Sequence, residues 1–312
     1  MDETPDVTPE GIERAAGRIG GYIRRTPVIE AEPGLYFKLE FLQHAGSFKP
    51  RGAFNRILSA REAGALPEAG VIAASGGNHG LAVAHAARTL GIRAEIFVPE
   101  VTAAVKVAGL RALGAEVHQT GSLYADARTA SLKRAAETGA LDVHAYDQPE
   151  TVTGQATLGR ELLGQVPDLG AVLVAVGGGG LAAGIAAALG GTGRVVAVEP
   201  ERSPTLREAL SHGSPVDVEV GGVAADALGA SRLGSIAFGL LSGVRSLLVP
   251  DEAIVTARRE LWQRYRIAVE PAGATAYAAL LTGAHRPAPG EPTVIILCGA
   301  NTDPADLQAR PS

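Results

Sequence analysis

The stretch AVLVAVGGGGL, residues 171–181, runs from a continuous apolar segment directly into four glycines. An apolar run of this length is typical of a buried strand, and the Ala-rich segment Leu181–Leu189 has the length of a helix. Three similar units precede it. In these units a predicted strand is followed by a predicted helix: Val71–Ala74 by a helix over 80–90, Ala94–Val98 by one over 103–113, and Glu116–Gln119 by one over 124–138. Strands that alternate with helices predict an α/β fold built on parallel sheets.

The second half of the chain continues this alternation. It comprises strand Val195–Val198, helices Asp251–Tyr265 and Ala272–Leu281, and strand Thr293–Leu297. Three loops, Ser75–His79, Gly177–Gly180 and Cys298–Asn301, each follow a predicted strand. Because ligands of parallel sheets bind at the carboxyl ends of the strands, we expect these loops to meet in one site between two lobes.

The four glycines predict an anion site, but they leave its ligand open. Backbone N–H groups at such a turn approach an anion closely, and the helix that follows adds partial positive charge at its N-terminus. A lone phosphate group fits this description. A nicotinamide dinucleotide also fits, because Gly178-x-Gly180-x-x-Ala183 followed by Glu199 matches the loose dinucleotide fingerprint. A tight turn without any ligand is the third interpretation.

Lys49 is one of four lysines among 28 basic residues, and it stands among small and apolar neighbours in Ser47–Ala53. A lysine that forms a Schiff base needs a neutral amine, which burial or a nearby cation favours by lowering its pKa. Phe48 supplies an apolar neighbour and Arg51 a cation. The alternative is an ordinary surface lysine at the start of a helix.

The loop Ser75–His79 offers backbone N–H groups, a hydroxyl and an amide at a predicted helix start, which suits a carboxylate ligand. His79 is a candidate base, although a histidine in this position more often has a structural role.

Composition narrows the classes of function. The chain has 312 residues, of which 46 % are apolar, with a net charge of −5 and a pI of about 5.8. This charge argues against nucleic acid or an anionic membrane as the partner. Cys298 is the only cysteine, so an intrachain disulfide and a cysteine-based metal site are excluded. The longest apolar runs are too short to span a bilayer, and we expect a cytoplasmic protein.

Together these segments resemble the fold type II family of pyridoxal-phosphate enzymes, and within it the branch of threonine/serine dehydratases and serine racemases. The resemblance extends from about Thr8 to Asp303. It rests on Ser47–Gly52, Ser75–His79, Gly177–Gly180, Glu270–Ala274 and Cys298–Asn301, in that order. It implies two domains, each a mostly parallel sheet flanked by helices. Residues 1–52 and 148–312 are expected to form a large cofactor-binding domain, into which a small domain of residues 53–147 is inserted.

The resemblance also implies the roles of site residues. Lys49 forms the Schiff base with pyridoxal 5′-phosphate, Phe48 packs against the cofactor ring, and Asn78 donates to its 3′-oxygen. Cys298 faces the pyridine nitrogen. The phosphate is expected on backbone N–H groups of Gly177, Gly178, Gly179, Gly180 and Leu181, and the substrate carboxylate on Ser75, Gly76, Gly77, Asn78 and His79.

The predicted reaction is the dehydration of a small L-hydroxy amino acid. L-threonine or L-serine would give 2-oxobutyrate or pyruvate and ammonia, with Lys49 as the base that removes the α-proton. A neutral Cys298 thiol cannot keep the pyridine nitrogen protonated, which favours prompt loss of a β-substituent. In the racemase branch an acid/base serine stands where this chain has Gly76, so we expect little racemisation.

Several alternatives stay open at this point. Within the fold they are a serine racemase, a threo-3-hydroxyaspartate ammonia-lyase, a β-replacement enzyme, and a catalytically silent relative that binds the cofactor. From a different class, an NAD-dependent oxidoreductase would use the glycines and Glu199. Arg51, Arg128 and Arg160 are candidate partners should the substrate carry a second carboxylate.

The last expectations concern a metal and partners. Some relatives bind a divalent cation through a glutamate after the strand that follows the phosphate loop, with an aspartate six positions later. Glu199 occupies the first place and Thr205 the second, so Glu199 with the Ser203 carbonyl is a candidate cation site. A small amino-acid substrate and a homodimer are expected. Because the sequence ends at Ser312, we expect no appended regulatory domain.

Overall fold

The computed structural model describes residues 7–307, and the ten strands within that range form two sheets. The larger sheet contains β1 Val28–Glu32, β2 Leu35–Lys38, β7 Ala171–Ala175, β8 Val195–Pro200, β9 Arg245–Val249 and β10 Thr293–Ile296. Its strand order is β1-β2-β10-β7-β8-β9. Strands β1 and β2 pair antiparallel, and the other pairs are parallel.

The smaller sheet is parallel throughout. It contains β3 Val71–Ala74, β4 Ala94–Val98, β5 Glu116–Gln119 and β6 Leu141–Asp142, in the order β5-β4-β3-β6. Every residue of β3 and β4 is buried. Parallel strands covered on both faces are expected to be mostly apolar runs, which is why the sequence predicted them well.

The described residues contain twelve α-helices. They are α1 Pro9–Ile19, α2 Pro50–Glu62, α3 Asn78–Leu90, α4 Ala104–Ala112, α5 Tyr124–Thr138, α6 Pro149–Leu163, α7 Gly180–Ala188, α8 Thr205–His212, α9 Ala225–Leu228, α10 Ser235–Leu241, α11 Asp251–Tyr265 and α12 Pro271–Leu281. Most residues of α7 and α12 are buried, and both helices consist largely of alanine and glycine, which allow close packing.

The α/β class with mostly parallel sheets is confirmed. The prediction missed β1, β2, β6 and β9, because none of them is a continuous buried run and β1 is exposed at three of its five positions. Strands of the larger sheet come from residues 28–38 and 171–296, and those of the smaller sheet from 71–142. The domain boundaries at 52/53 and 147/148 stay a prediction, and both ends of the chain lie outside the described range.

Candidate functional site

A cavity of about 560 Å³ lies where the loops after β3 and β7 meet. Of the predicted site residues, its wall contains Lys49, Ser75, Gly76, Gly77, Asn78, His79 and Gly178. The predicted site residues that do not line the cavity are Phe48, Gly177, Gly179, Gly180, Leu181, Glu199 and Cys298. Two of the three predicted loops therefore share one cavity, and the Cys298 loop reaches it through contacts with neighbouring residues.

Lys49 lies directly before α2 with its side chain in the cavity wall. Its Nζ donates to the carbonyl oxygen of Ala145 at 2.8 Å and lies 4.9 Å from the centroid of the Phe48 ring. Burial lowers the pKa of Lys49 to about 8, although Cys298 and Glu270 act in the opposite direction. An amine with this pKa is partly neutral near physiological pH, as a Schiff-base lysine requires.

Arg51 does not act as the nearby cation that we expected. It is fully buried and donates through Nε to Glu40 Oε1 at 2.6 Å and through Nη1 to Glu161 Oε1 at 2.8 Å. Lys38 Nζ lies 2.6 Å from Glu161 Oε2, so two cations balance two carboxylates. The network joins α2 to α6 and holds the start of α2, where Lys49 is attached. The low pKa of Lys49 therefore comes from burial.

Asn78 begins α3 and connects segments that are distant in sequence. Its Nδ2 donates to Glu270 Oε1 at 2.7 Å, and its Oδ1 accepts from Asn301 Nδ2 at 2.7 Å. Because an amide nitrogen carries two hydrogens, a second donor of Asn78 is left for a ligand. Burial raises the pKa of Glu270 to about 7, while the hydrogen bond from Asn78 opposes this shift.

His79 has a structural environment. It is buried, and its Nε2 lies 2.8 Å from the carbonyl oxygen of Val143, a contact that requires the proton on Nε2. Burial, followed by the charge of Lys49, lowers the pKa of His79 to about 3, so the ring is neutral. A neutral ring bound to the backbone fits a structural role better than that of a base.

The glycine loop enters α7 through a left-handed turn at Gly179, whose φ is +86°. Space is tight at this loop, because a Cβ at Gly178 would lie 2.3 Å from Cγ of Tyr146. The carbonyl oxygen of Gly177 accepts from Thr205 Oγ1 at 2.5 Å. The first N–H groups of a helix have no partner within it, so the start of α7 suits the predicted phosphate.

Cys298 follows β10 and is buried. Its Sγ donates to the carbonyl oxygen of Ala272 at 3.7 Å, and burial raises the pKa of Cys298 to about 12. The thiol is therefore neutral, as the predicted chemistry requires. The backbone N–H of Phe48 donates to the Cys298 carbonyl at 3.1 Å, which brings the thiol segment beside the lysine segment.

Glu199 presents no free carboxylate to a metal or to a ribose. It is fully buried, and its oxygens accept from the backbone N–H groups of Leu206 at 2.7 Å and Arg207 at 3.0 Å, and from Ser246 Oγ at 2.9 Å. These donors occupy lone pairs that a cation would need. The geometry supports neither the predicted cation site nor the dinucleotide alternative.

The sequence analysis did not anticipate several residues of the cavity wall. Tyr146 packs on Gly178, and Lys106 of α4 forms an ion pair with Asp226 of α9. Thr102, from the loop between β4 and α4, also lines the cavity. These residues belong to no motif, because they reach the cavity from three separate segments: Thr102 and Lys106 from one, Tyr146 from another and Asp226 from a third.

Comparison with known proteins identifies the family. Residues 19–299 match the family described as pyridoxal-phosphate dependent enzyme. The chain belongs to this family. An L-threonine ammonia-lyase of Geobacter sulfurreducens is 39 % identical over 94 % of this chain and 75 % of its own length. Among solved structures, a threonine deaminase of T.th. is 36 % identical with a TM-score of 0.85, covering 95 % of this chain and 99 % of that one. Maize serine racemase is 31 % identical with a TM-score of 0.89, covering 96 % and 95 %.

These findings confirm the predicted family, its fold type II class and pyridoxal 5′-phosphate as the cofactor. The residues present fit this group. The cavity holds an amine of lowered pKa at Lys49, a spare amide donor at Asn78 and a glycine turn at the start of α7. None of the described helices has the length and hydropathy needed to cross a membrane.

Proposed function

We propose that this enzyme is an ammonia-lyase that converts L-threonine or L-serine to 2-oxobutyrate or pyruvate and ammonia. The observation that carries the proposal is the placement of Lys49. Its amine, with a pKa of about 8, lines the same cavity as the Asn78 loop. The Geobacter relative and the T.th. structure, an ammonia-lyase and a deaminase of threonine by name, support this choice of substrate.

In this proposal the backbone and a few side chains bind the reactants. The loop Ser75–His79 binds the substrate carboxylate at the start of α3, where the helix carries partial positive charge. The spare amide hydrogen of Asn78 binds the 3′-oxygen of the cofactor, and Phe48 packs on its ring. Backbone N–H groups of residues 177–181 hold the phosphate, and Cys298 faces the pyridine nitrogen.

The reaction then needs one base. When bound, pyridoxal phosphate supplies an electron sink for the electron pair left at the α-carbon. Lys49 takes the α-proton on its neutral amine. The neutral Cys298 thiol could not keep the pyridine nitrogen of the bound cofactor protonated, which would favour loss of the β-hydroxyl over return of the α-proton. Overall the substrate loses one water and later gains one, which releases the keto acid and ammonia.

The test combines a spectrum with a product assay. The purified protein should show visible absorption from bound cofactor and should release keto acid from L-threonine or L-serine. Lys49→Ala should abolish both. Bound cofactor without keto acid would indicate a silent relative, and D-serine formed as fast as pyruvate would indicate a racemase. Either outcome contradicts the proposal.

We also infer a homodimer and a cytoplasmic location, for which the family resemblance is the support. Light scattering on the eluting protein should give a mass near twice the 31.8 kDa of the chain. A mass of one chain would contradict the dimer.

A further inference from the structure

Gly76 faces a side chain that comes from another loop. A Cβ at Gly76 would lie 3.0 Å from Cγ2 of Thr102, 3.6 Å from Oγ1 of Thr102 and 3.6 Å from Cγ1 of Val98. The backbone N–H of Thr102 donates to the carbonyl oxygen of Pro99 at 3.0 Å, which shapes this loop. The methyl group of Thr102 therefore lies against the space that a side chain at position 76 would need.

Elimination and racemisation differ in the number of acid/base groups that they require. Elimination needs one base at the α-carbon, which is Lys49 in the proposed function. Inversion of the α-carbon also needs a group that delivers a proton from the opposite face. Gly76 carries no such group, so any second acid must come from the rest of the cavity wall.

Two side chains of the cavity wall that could act as a second acid are engaged elsewhere. His79 is neutral and bound to the Val143 carbonyl. Tyr146 donates its hydroxyl to the Arg232 carbonyl at 3.3 Å, and burial raises the pKa of Tyr146 to about 12. The Ser75 hydroxyl accepts from the backbone N–H of Gly77 at 3.2 Å, a bond that holds it against its own loop but does not occupy its hydrogen.

We propose that Thr102 is a specificity-determining residue, whose side chain keeps an acid/base group out of the space at Gly76 and so restricts the enzyme to elimination. This inference rests on the proposed function. Threonine is branched at Cβ and has few favourable rotamers, so its methyl group does not move aside freely. A serine at position 76 would have to displace it by a few tenths of an ångström.

Four variants test this proposal: Gly76→Ser, Thr102→Ala, and the double variants Gly76→Ser/Thr102→Ala and Gly76→Ser/Thr102→Ser. The Thr102→Ser change is the matched control, because it removes the methyl group and keeps the hydroxyl. With L-serine in D2O, we would measure pyruvate, D-serine and deuterium at the α-carbon of recovered D-serine. Thermal melting and cofactor absorption would report on folding.

We expect little D-serine from the wild type and from either single variant. Both double variants should raise the ratio of D-serine to pyruvate by about tenfold over Gly76→Ser, which corresponds to ~1.4 kcal/mol of coupling between residues in contact. If Gly76→Ser alone reaches the ratio of the folded double variants, or if those variants gain nothing, the role of Thr102 is refuted. Racemisation by the wild type that Thr102→Ala abolishes would also refute it, because Thr102 would then be an acid itself.

The two proposals fail in different ways. A wild type that binds cofactor but releases no pyruvate would sink the proposed function. The role of Thr102 would still be decided by a separate measurement. This is the amount of deuterium at the α-carbon of D-serine, compared between the single and the double variants.

Discussion

The side-chain amide of Asn78 donates to Glu270 Oε1 at 2.7 Å. This bond joins the start of α3, which flanks the smaller sheet, to the start of α12, which packs on the larger one. In the proposed function Asn78 binds the cofactor, and burial raises the pKa of its partner carboxyl, Glu270, to about 7. The protonation of Glu270 therefore changes near neutral pH beside the site.

Glu270 should make stability depend on pH. Its folded pKa, about 7, lies above the usual 4.5, so the folded protein holds this proton more tightly than the unfolded chain. The stability that it contributes is fully present below pH 4.5 and is lost as the pH rises through about 7. Glu270→Gln keeps an oxygen for Asn78 and cannot titrate. Urea unfolding should show a smaller loss of stability across this window for the variant, and equal losses would contradict the assignment.

Lys49 should control how fast the cofactor is taken up. The amine is nucleophilic when neutral, and its pKa is about 8. The rate at which cofactor-free protein gains visible absorption from pyridoxal phosphate should therefore rise as the pH increases through about 8. Lys133→Ala, which removes an exposed lysine, should keep this profile. A rate that rises only near pH 10, as for an ordinary lysine, would show that burial does not activate Lys49.

Removing the Arg51 guanidinium should be costly. Arg51→Met leaves Glu40 without its ion-pair partner and Glu161 paired with Lys38 alone, and breaking a buried ion pair typically costs about 3–5 kcal/mol. Arg160→Met breaks a surface pair with Glu13, which solvent screens, and should cost much less. Urea unfolding of both variants gives the comparison. Equal losses would mean that the buried network does not support the start of α2.

A substrate with a second carboxylate should be poor, because the cations considered for it are paired. Arg51 and Arg160 bind glutamates, and Arg128 binds Asp142 through two nitrogens. We expect kcat/KM for threo-3-hydroxyaspartate to be at least about tenfold below that for L-threonine, ~1.4 kcal/mol in transition-state binding. A value equal to that of L-threonine would show that a cation becomes free on binding.

Among the described residues that line the cavity, Lys106 is the one cation besides Lys49. It allows a sharper version of this test. Lys106 is paired with Asp226, and both line the cavity. Asp226→Asn should free Lys106 and raise kcat/KM for threo-3-hydroxyaspartate, and adding Lys106→Met should cancel the gain. An unchanged value in Asp226→Asn would place Lys106 out of reach of the substrate.

Chelation should leave the protein unchanged. The Glu199 oxygens are bound by backbone N–H groups and Ser246, so few lone pairs remain for a cation. EDTA should not shift the melting temperature or the rate of keto-acid release, and added Mg²⁺ should not either. A clear drop with EDTA that Mg²⁺ reverses would restore the predicted cation site.

The sequence by itself determined the fold class and the loops of the site. Buried parallel strands are short apolar runs, and glycine turns are local, so these strands and the glycine loop were recognisable without coordinates. The roles of Lys49 and Asn78 came from the family resemblance and stay predictions. Strands β1, β2, β6 and β9 were not predicted, because they are partly exposed and their hydrophobic signal is weaker.

Only the tertiary structure decided how the site residues are paired. Glu270 accepts a hydrogen bond from Asn78, which lies 192 positions away in sequence. Thr102 approaches Gly76 from another loop. Arg51 forms ion pairs with Glu40 and Glu161 and does not act on Lys49. The tertiary structure also shows that burial, and not a nearby cation, lowers the pKa of Lys49. Such contacts depend on how segments that are distant in sequence pack together. The hydrophobic pattern of one segment carries no information about the side chains of another segment that will pack against it.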